Sequence, residues 1–213
     1  MKQFGEKVEG YNIPVLNERE IRAASGILFL FVFIAITQII HTGSFLMLKS
    51  FVILFLVDFS IRVLINPKYS PTLIIGRLIV RRQTPEYVGA AQKKFAWIIG
   101  LTLAISMTVL LVILNSVSFI TSIMCLICFL FLFFESAFGI CLGCLFYGWF
   151  YKEKAQYCPG EVCEVKARHE IQKTSWLQIL VVVAFIAFAI VAIMLFKGNF
   201  SQSPVDLWAL LKR

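Results

Sequence analysis

Apolar runs long enough to cross a bilayer recur along this chain, and no other feature restricts its fold as severely. A helical span needs about 20 mainly apolar residues to cover a hydrocarbon core of roughly 30 Å. Runs at 24–40 (ASGILFLFVFIAITQII), 44–65, 96–114 and 176–196 meet that length, and a further run starts near Val117. The composition agrees: 60% of the residues are hydrophobic and 15% charged, where a soluble domain has about 45–50% and 25%. The 21 phenylalanines suit lipid-facing helices and would leave a water-facing surface aggregating. The expected class is an all-α, polytopic integral membrane helix bundle with about five transmembrane helices. The first 22 residues are too charged and too long for a signal n-region, so the first run reads as a retained helix.

The run from Val117 to Tyr151 is anomalous. Its 35 residues would reach ~52 Å as one helix. That is too long for one span and too short for two with a turn. The expectation is one long helix, tilted or kinked near Gly139 or Gly143, with a re-entrant fold after Glu135 as the alternative.

Basic residues set the orientation. Fifteen Lys and Arg fall in 1–23, in the 66–94 loop and in the 151–175 loop, against three in the C-terminal tail. The positive-inside rule then puts the N-terminus in the cytoplasm and the C-terminus outside. The same rule explains the net charge of +8 without nucleic acid, for which no stretch offers a platform. The organisation expected is a cytoplasmic segment 1–23, a four-helix core 24–151 with its basic loop, a cytoplasmic loop 152–175, a fifth span 176–196 and an outer amphipathic tail 197–213. The stretch SPTLIIGRLIVRR offers Ser70 as N-cap and Pro71 at the first helical position. As a surface helix it would turn Arg77 and Arg81 toward anionic headgroups.

Six cysteines carry most of the recognisable chemistry. Cys141 and Cys144 stand three apart and would share one helix face, while Gly139 and Gly143 would let another helix approach closely and permit a homodimer. Cys158 and Cys163 flank a Pro159-Gly160 turn in the charged loop that follows, so the two pairs could meet at one surface. Three readings stay open. The thiols form a disulfide relay, with each other or with a soluble thioredoxin-like partner. They bind zinc or an iron–sulfur cluster, which the spacing fits only in part. Or they are small apolar packing residues. Packing is the reading preferred for Cys125 and Cys128, which lie within the hydrocarbon run.

The successive stretches NPKYSPTLIIGRLI, EYVGAAQKKFAWIIG and FESAFGICLGCLFY resemble a bacterial inner-membrane family catalogued as domain of unknown function 4395. The resemblance covers roughly residues 15–150. It implies four membrane helices ending soon after a Gly-x-Cys-x-Gly-Cys segment, here Gly139, Cys141, Gly143 and Cys144, and placement in the bacterial cytoplasmic membrane. No activity follows from it. The cysteine loop and the fifth span would be additions to the family pattern.

Charges inside the spans form a second group. Asp58 and Arg62 are four apart and can neutralise each other, and Glu135 comes to a similar depth, where it is expected to receive Arg62 across helices. Lys49 is expected to snorkel to the outer interface. His41, Gln38 and His169 read as solvated. No phosphate-cradling loop, nucleophile elbow or His pair at metal spacing occurs. The functional expectation is thiol chemistry at the cytoplasmic interface by Cys141 and Cys144, relayed through Cys158 and Cys163, with Glu135 or Asp58 moving the proton. The alternatives are a small permeation module built on Asp58, Arg62 and Glu135, and a zinc-stabilised scaffold.

Overall fold

The computed structural model describes residues 4–143 and 174–206. Cys144, Cys158, Cys163 and the 152–173 loop lie outside the described residues. The elements run β1 (Val15–Asn17), α1 (Glu18–Thr42), α2 (Leu46–Ser60), α3 (Pro71–Val80), β2 (Tyr87–Gly89), α4 (Ala90–Met107), β3 (Ser116–Val117), α5 (Phe119–Phe133), α6 (Trp176–Ser201) and β4 (Val205–Asp206). Helices α2, α4 and α5 each continue into a π-helical turn, at Ile61–Ile65, Thr108–Ile113 and Phe134–Phe138. The all-α bundle is therefore borne out, with two short β clasps tying its ends. Four helices are long and apolar enough to cross a membrane: α1, α4 and α5 with their π turns, and α6. The remaining apolar element, α2 with its π turn, carries Lys49, Asp58 and Arg62, all buried inside the protein.

The first clasp positions the later chemistry. β1 pairs antiparallel with β2, Leu16 opposite Val88, and Glu18 N donates to Glu86 O at 2.7 Å. This sets the N-termini of α1 and α4 side by side. Asn17 caps α1 through the Arg19 amide, so the helix starts at Glu18, six residues before the apolar run. Tyr87 is buried in this clasp, edge-on to Tyr11, and burial pushes its phenol well above the ordinary range, with Tyr11, Glu6 and Glu20 adding to the shift.

Helix α3 starts as the sequence indicates, Ser70 accepting from the Leu73 amide and Pro71 following. Of its two expected headgroup-facing arginines, Arg77 turns inward. Gly76 lies so close to α1 that a Cβ would come within 2.5 Å of Glu20 O, and Arg77 is buried with its Nε 3.1 Å from Glu20 Oε2. The exposed residues of α3 are Leu78 and Ile79, with Arg81 and Arg82 just beyond. A buried acid on α1 outcompetes the membrane surface for Arg77.

Lys49 is corrected in the same way. It does not snorkel: its side chain is buried, and Nζ donates to Asn115 Oδ1 (2.6 Å) and to the carbonyls of Gln202 (2.9 Å) and Asn199 (3.4 Å) at the end of α6. Parallel pairing of β3 with β4 closes that end of the bundle. At its other end α6 is held by Gln178, whose Nε2 donates to Lys68 O at 3.0 Å. Between those anchors α6 lies on α2 and α3 and buries almost nothing, with only Gln178 and Phe200 enclosed.

Candidate functional site

The expected long helix from Val117 breaks. α5 is capped at its start by Ser118 and Thr121, widens into the π turn Phe134–Phe138, and stops at Gly139, which adopts the left-handed conformation (φ +65°). Both Gly139 N and Ile140 N reach back to Phe134 O, so the freed amides are satisfied locally. Only glycine fits there: a Cβ would fall within 2 Å of the Arg22 guanidinium. Cys141 therefore lies on the non-helical link beyond the break, not on a continuing helix face. Gly143 then packs on α4, a Cβ there meeting Ala96 Cβ at 2.5 Å. The close approaches allowed by Gly139 and Gly143 are thus filled within this chain.

Beside this break is a cavity of about 50 Å³. Cys141, Glu135, Arg62, Trp97, Gly143 and Cys128 are among its walls. It brings together three residues that the sequence singles out from separate runs: a thiol, a carboxylate and a guanidinium.

Arg62 is almost entirely enclosed, and its orientation is fixed. Nε donates to Asp58 Oδ2 at 2.8 Å and to Ser70 Oγ at 3.2 Å, and Nη2 donates to Thr72 Oγ1 at 2.5 Å. The plane lies over Phe59 (4.5 Å) and Trp97 (5.2 Å), adding cation–π attraction. Asp58 is equally enclosed and its two oxygens accept from Arg62, Ser70 Oγ, Thr72 Oγ1 and Thr72 N. A carboxylate so fully used by fixed donors is a clamp joining α2 to the start of α3. Among the described residues no acceptor takes Nη1, and Arg62 is one of the walls of the cavity.

Glu135 does not receive Arg62. Its partner is Lys93, whose Nζ lies 2.5 Å from Glu135 Oε1 and 2.7 Å from Glu18 Oε2. Arg22 Nε stands 3.6 Å from the other Glu18 oxygen. Two carboxylates and two cations thus form a neutral group where α1, α4 and α5 meet. Buried ions of this kind persist only when paired, because desolvation would otherwise cost several kcal/mol per ion. Arg62 is taken by Asp58 on its own helix, and the acid on α5 instead shares Lys93 with Glu18.

Lys93 and Glu18 are members of this buried group that sequence reasoning missed. Lys93 counts there as a loop charge, yet it opens a buried stripe Lys93, Trp97, Gly100, Ala104, Met107 at helical spacing. Glu18 likewise opens Glu18, Ile21, Ser25, Leu28, Val32, Ala35. A charge standing on the core stripe of a helix was the available signal.

The donors fit a metal poorly. Among the described residues no three His, Cys, Asp or Glu side chains converge to hold one, and a guanidinium faces the cavity that Cys141 lines. Cys125 and Cys128 are free thiols packed against the core, as the packing reading expects.

No curated protein and no solved structure matches the chain. The family described as a domain of unknown function (DUF4395) matches residues 16–152, from β1 through the break at Gly139 and beyond Cys144, and leaves α6 outside. With a match across more than half its length, this chain belongs to the DUF4395 family.

Proposed function

We propose that the protein is a membrane thiol protein whose working cysteine is Cys141, in the bacterial cytoplasmic membrane with β1, β2 and the cavity toward the cytoplasm. One observation carries the reading: Cys141 stands at a helix break and lines a small cavity with Arg62 and Glu135. A cysteine beside a fixed cation and a proton acceptor is in the environment that makes thiols reactive. Asp58 and Arg62 support the site by clamping, not by lining an ion path.

The exchange proceeds in two steps. The Cys141 thiolate, its proton passed to Glu135, attacks one sulfur of a partner disulfide, and the other sulfur leaves as a thiol. Cys144 then attacks the mixed disulfide, releasing the second thiol and closing a Cys141–Cys144 bond. Two electrons pass from the cysteine pair to the partner, a soluble thioredoxin-like protein or a sulfane-sulfur compound. Cys158 and Cys163 can return or accept those electrons by the same exchange.

The test is the reaction of the purified full chain with 4,4′-dithiodipyridine, read at each cysteine by mass spectrometry. Cys141 should react on the order of tenfold or more faster than Cys125 and Cys128, and Glu135→Gln should slow it. Equal rates at the three positions would overturn the reading. A second reading, a permeation module, rests on the Glu18–Lys93–Glu135 group, where two carboxylates share one ammonium. Under it Glu135→Gln removes activity and Cys141→Ser does not. Metal content of the same preparation decides the zinc-scaffold reading.

A further inference from the structure

The cavity beside Cys141 is the first of three in series. Phe55, Leu103 and Cys128 line both it and a second void of about 20 Å³ deeper in the bundle. Leu48, Met107 and Cys125 line both that void and a third, a groove of about 540 Å³ toward the β3 end, between α1, α2 and α5. Each junction is therefore a shared wall, and each wall includes a thiol. Every residue around the middle void is apolar or a cysteine. Along α5 the residues concerned form one stripe, Thr121, Cys125, Cys128, Leu132 and Glu135, from the groove to the charged cavity.

Protein interiors rarely leave such space, and apolar cavities stay dry. Small side chains leave it here: Cys125 and Cys128 on α5, and Ala104 on α4. A leucine at any of these positions would fill the middle void. The groove is walled by Phe33, Ile36, Ile40 and Phe129, helix surfaces that lie within the apolar spans.

We propose that the three voids are a passage, dry at its apolar middle, carrying a small uncharged solute of the hydrogen sulfide type between the lipid and Cys141. The proposal rests on the thiol reading of Cys141 and names its solute class. An ion would shed its hydration in the middle void and find no counter-charge, so the passage excludes it. The size of that void admits one small molecule at a time, and rotamer changes of the shared side chains open the walls between voids. The two cysteines of α5 are then neither nucleophiles nor filler. They are residues small enough to leave the way open.

Trp97 lines the inner cavity and reports arrival there. The probe is dioxygen, small and uncharged, against iodide, in the full-length chain with Trp149, Trp176 and Trp208 changed to Phe, reconstituted in lipid nanodiscs. Dioxygen should quench Trp97, iodide should not, and Cys128→Phe should lower the dioxygen rate constant by roughly threefold or more by filling the middle void. Ala104→Leu plugs the same void from α4 and decides the matter if Cys128→Phe fails to fold. Dioxygen quenching that survives in a folded plugged variant overturns the passage. The rate of dithiodipyridine at Cys141 in the unplugged protein is read separately. A plugged-sensitive quenching with an unreactive Cys141 overturns the thiol reading and the sulfur solute, whereas a reactive Cys141 with plug-insensitive quenching overturns the passage alone.

Discussion

Among the described residues each buried charged side chain has a partner, and the partners separate the clamp of Asp58 and Arg62 from the group around Glu135. Asp58 accepts four hydrogen bonds and holds Arg62 in one orientation, under Trp97 and Phe59. Removing one member of such a pair leaves a buried charge unmatched, which costs about 3–5 kcal/mol. Asp58→Ala should therefore lower stability by about that amount, read as a fall in the thermal midpoint of the protein in detergent. Asp58→Leu with Arg62→Met should recover most of the loss, since apolar replacement of a whole buried pair is often neutral. A double variant as unstable as the single one would contradict the clamp. The pairing of Asp58 with Arg62 was legible from their spacing of four. The pairing of Glu135 was not, because it depends on α1, α4 and α5 meeting, which no local spacing encodes.

At the scale of elements, two departures from regular helix define the site. The π turn at Phe134–Phe138 and the left-handed Gly139 end α5 where the sequence shows an unbroken apolar run. The glycines at 139 and 143 marked the place, and the helix ends there through the left-handed backbone that Gly139 adopts after the π turn. Helix α6 shows the opposite case, a regular element with polar anchors at both ends. Lys49 from α2 acts as a C-cap for it, donating to the Asn199 and Gln202 carbonyls. Hydrogen bonds from a charged donor contribute about 1.5–3 kcal/mol. Lys49→Met should release the end of α6, seen as faster amide hydrogen exchange over residues 197–204 with the amides of α1 and α4 unchanged. Unchanged exchange in α6 would show that the β3–β4 pairing suffices alone.

For the whole molecule, class and span positions were readable because hydrocarbon imposes them: a run of apolar residues has few other fates. The ends of the helices were not, since Glu18 and Lys93 enter helices only because the β1–β2 clasp brings α1 and α4 together. The architecture that results gathers its buried ion pairs at the clasp end, while the β3–β4 end holds one buried cation, Lys49, on amide and backbone oxygens. Charged groups collect near the clasp, around the cavity lined by Cys141, and the spaces behind it are apolar. Under the proposed thiol chemistry Cys141 is the cysteine that this arrangement serves. The decisive measurement is differential alkylation in intact cells during an oxidant pulse and its recovery, read at each cysteine by mass spectrometry. Cys141 should be oxidised and restored while Cys125 and Cys128 stay reduced throughout; a Cys141 that remains a free thiol at every stage would overturn its role.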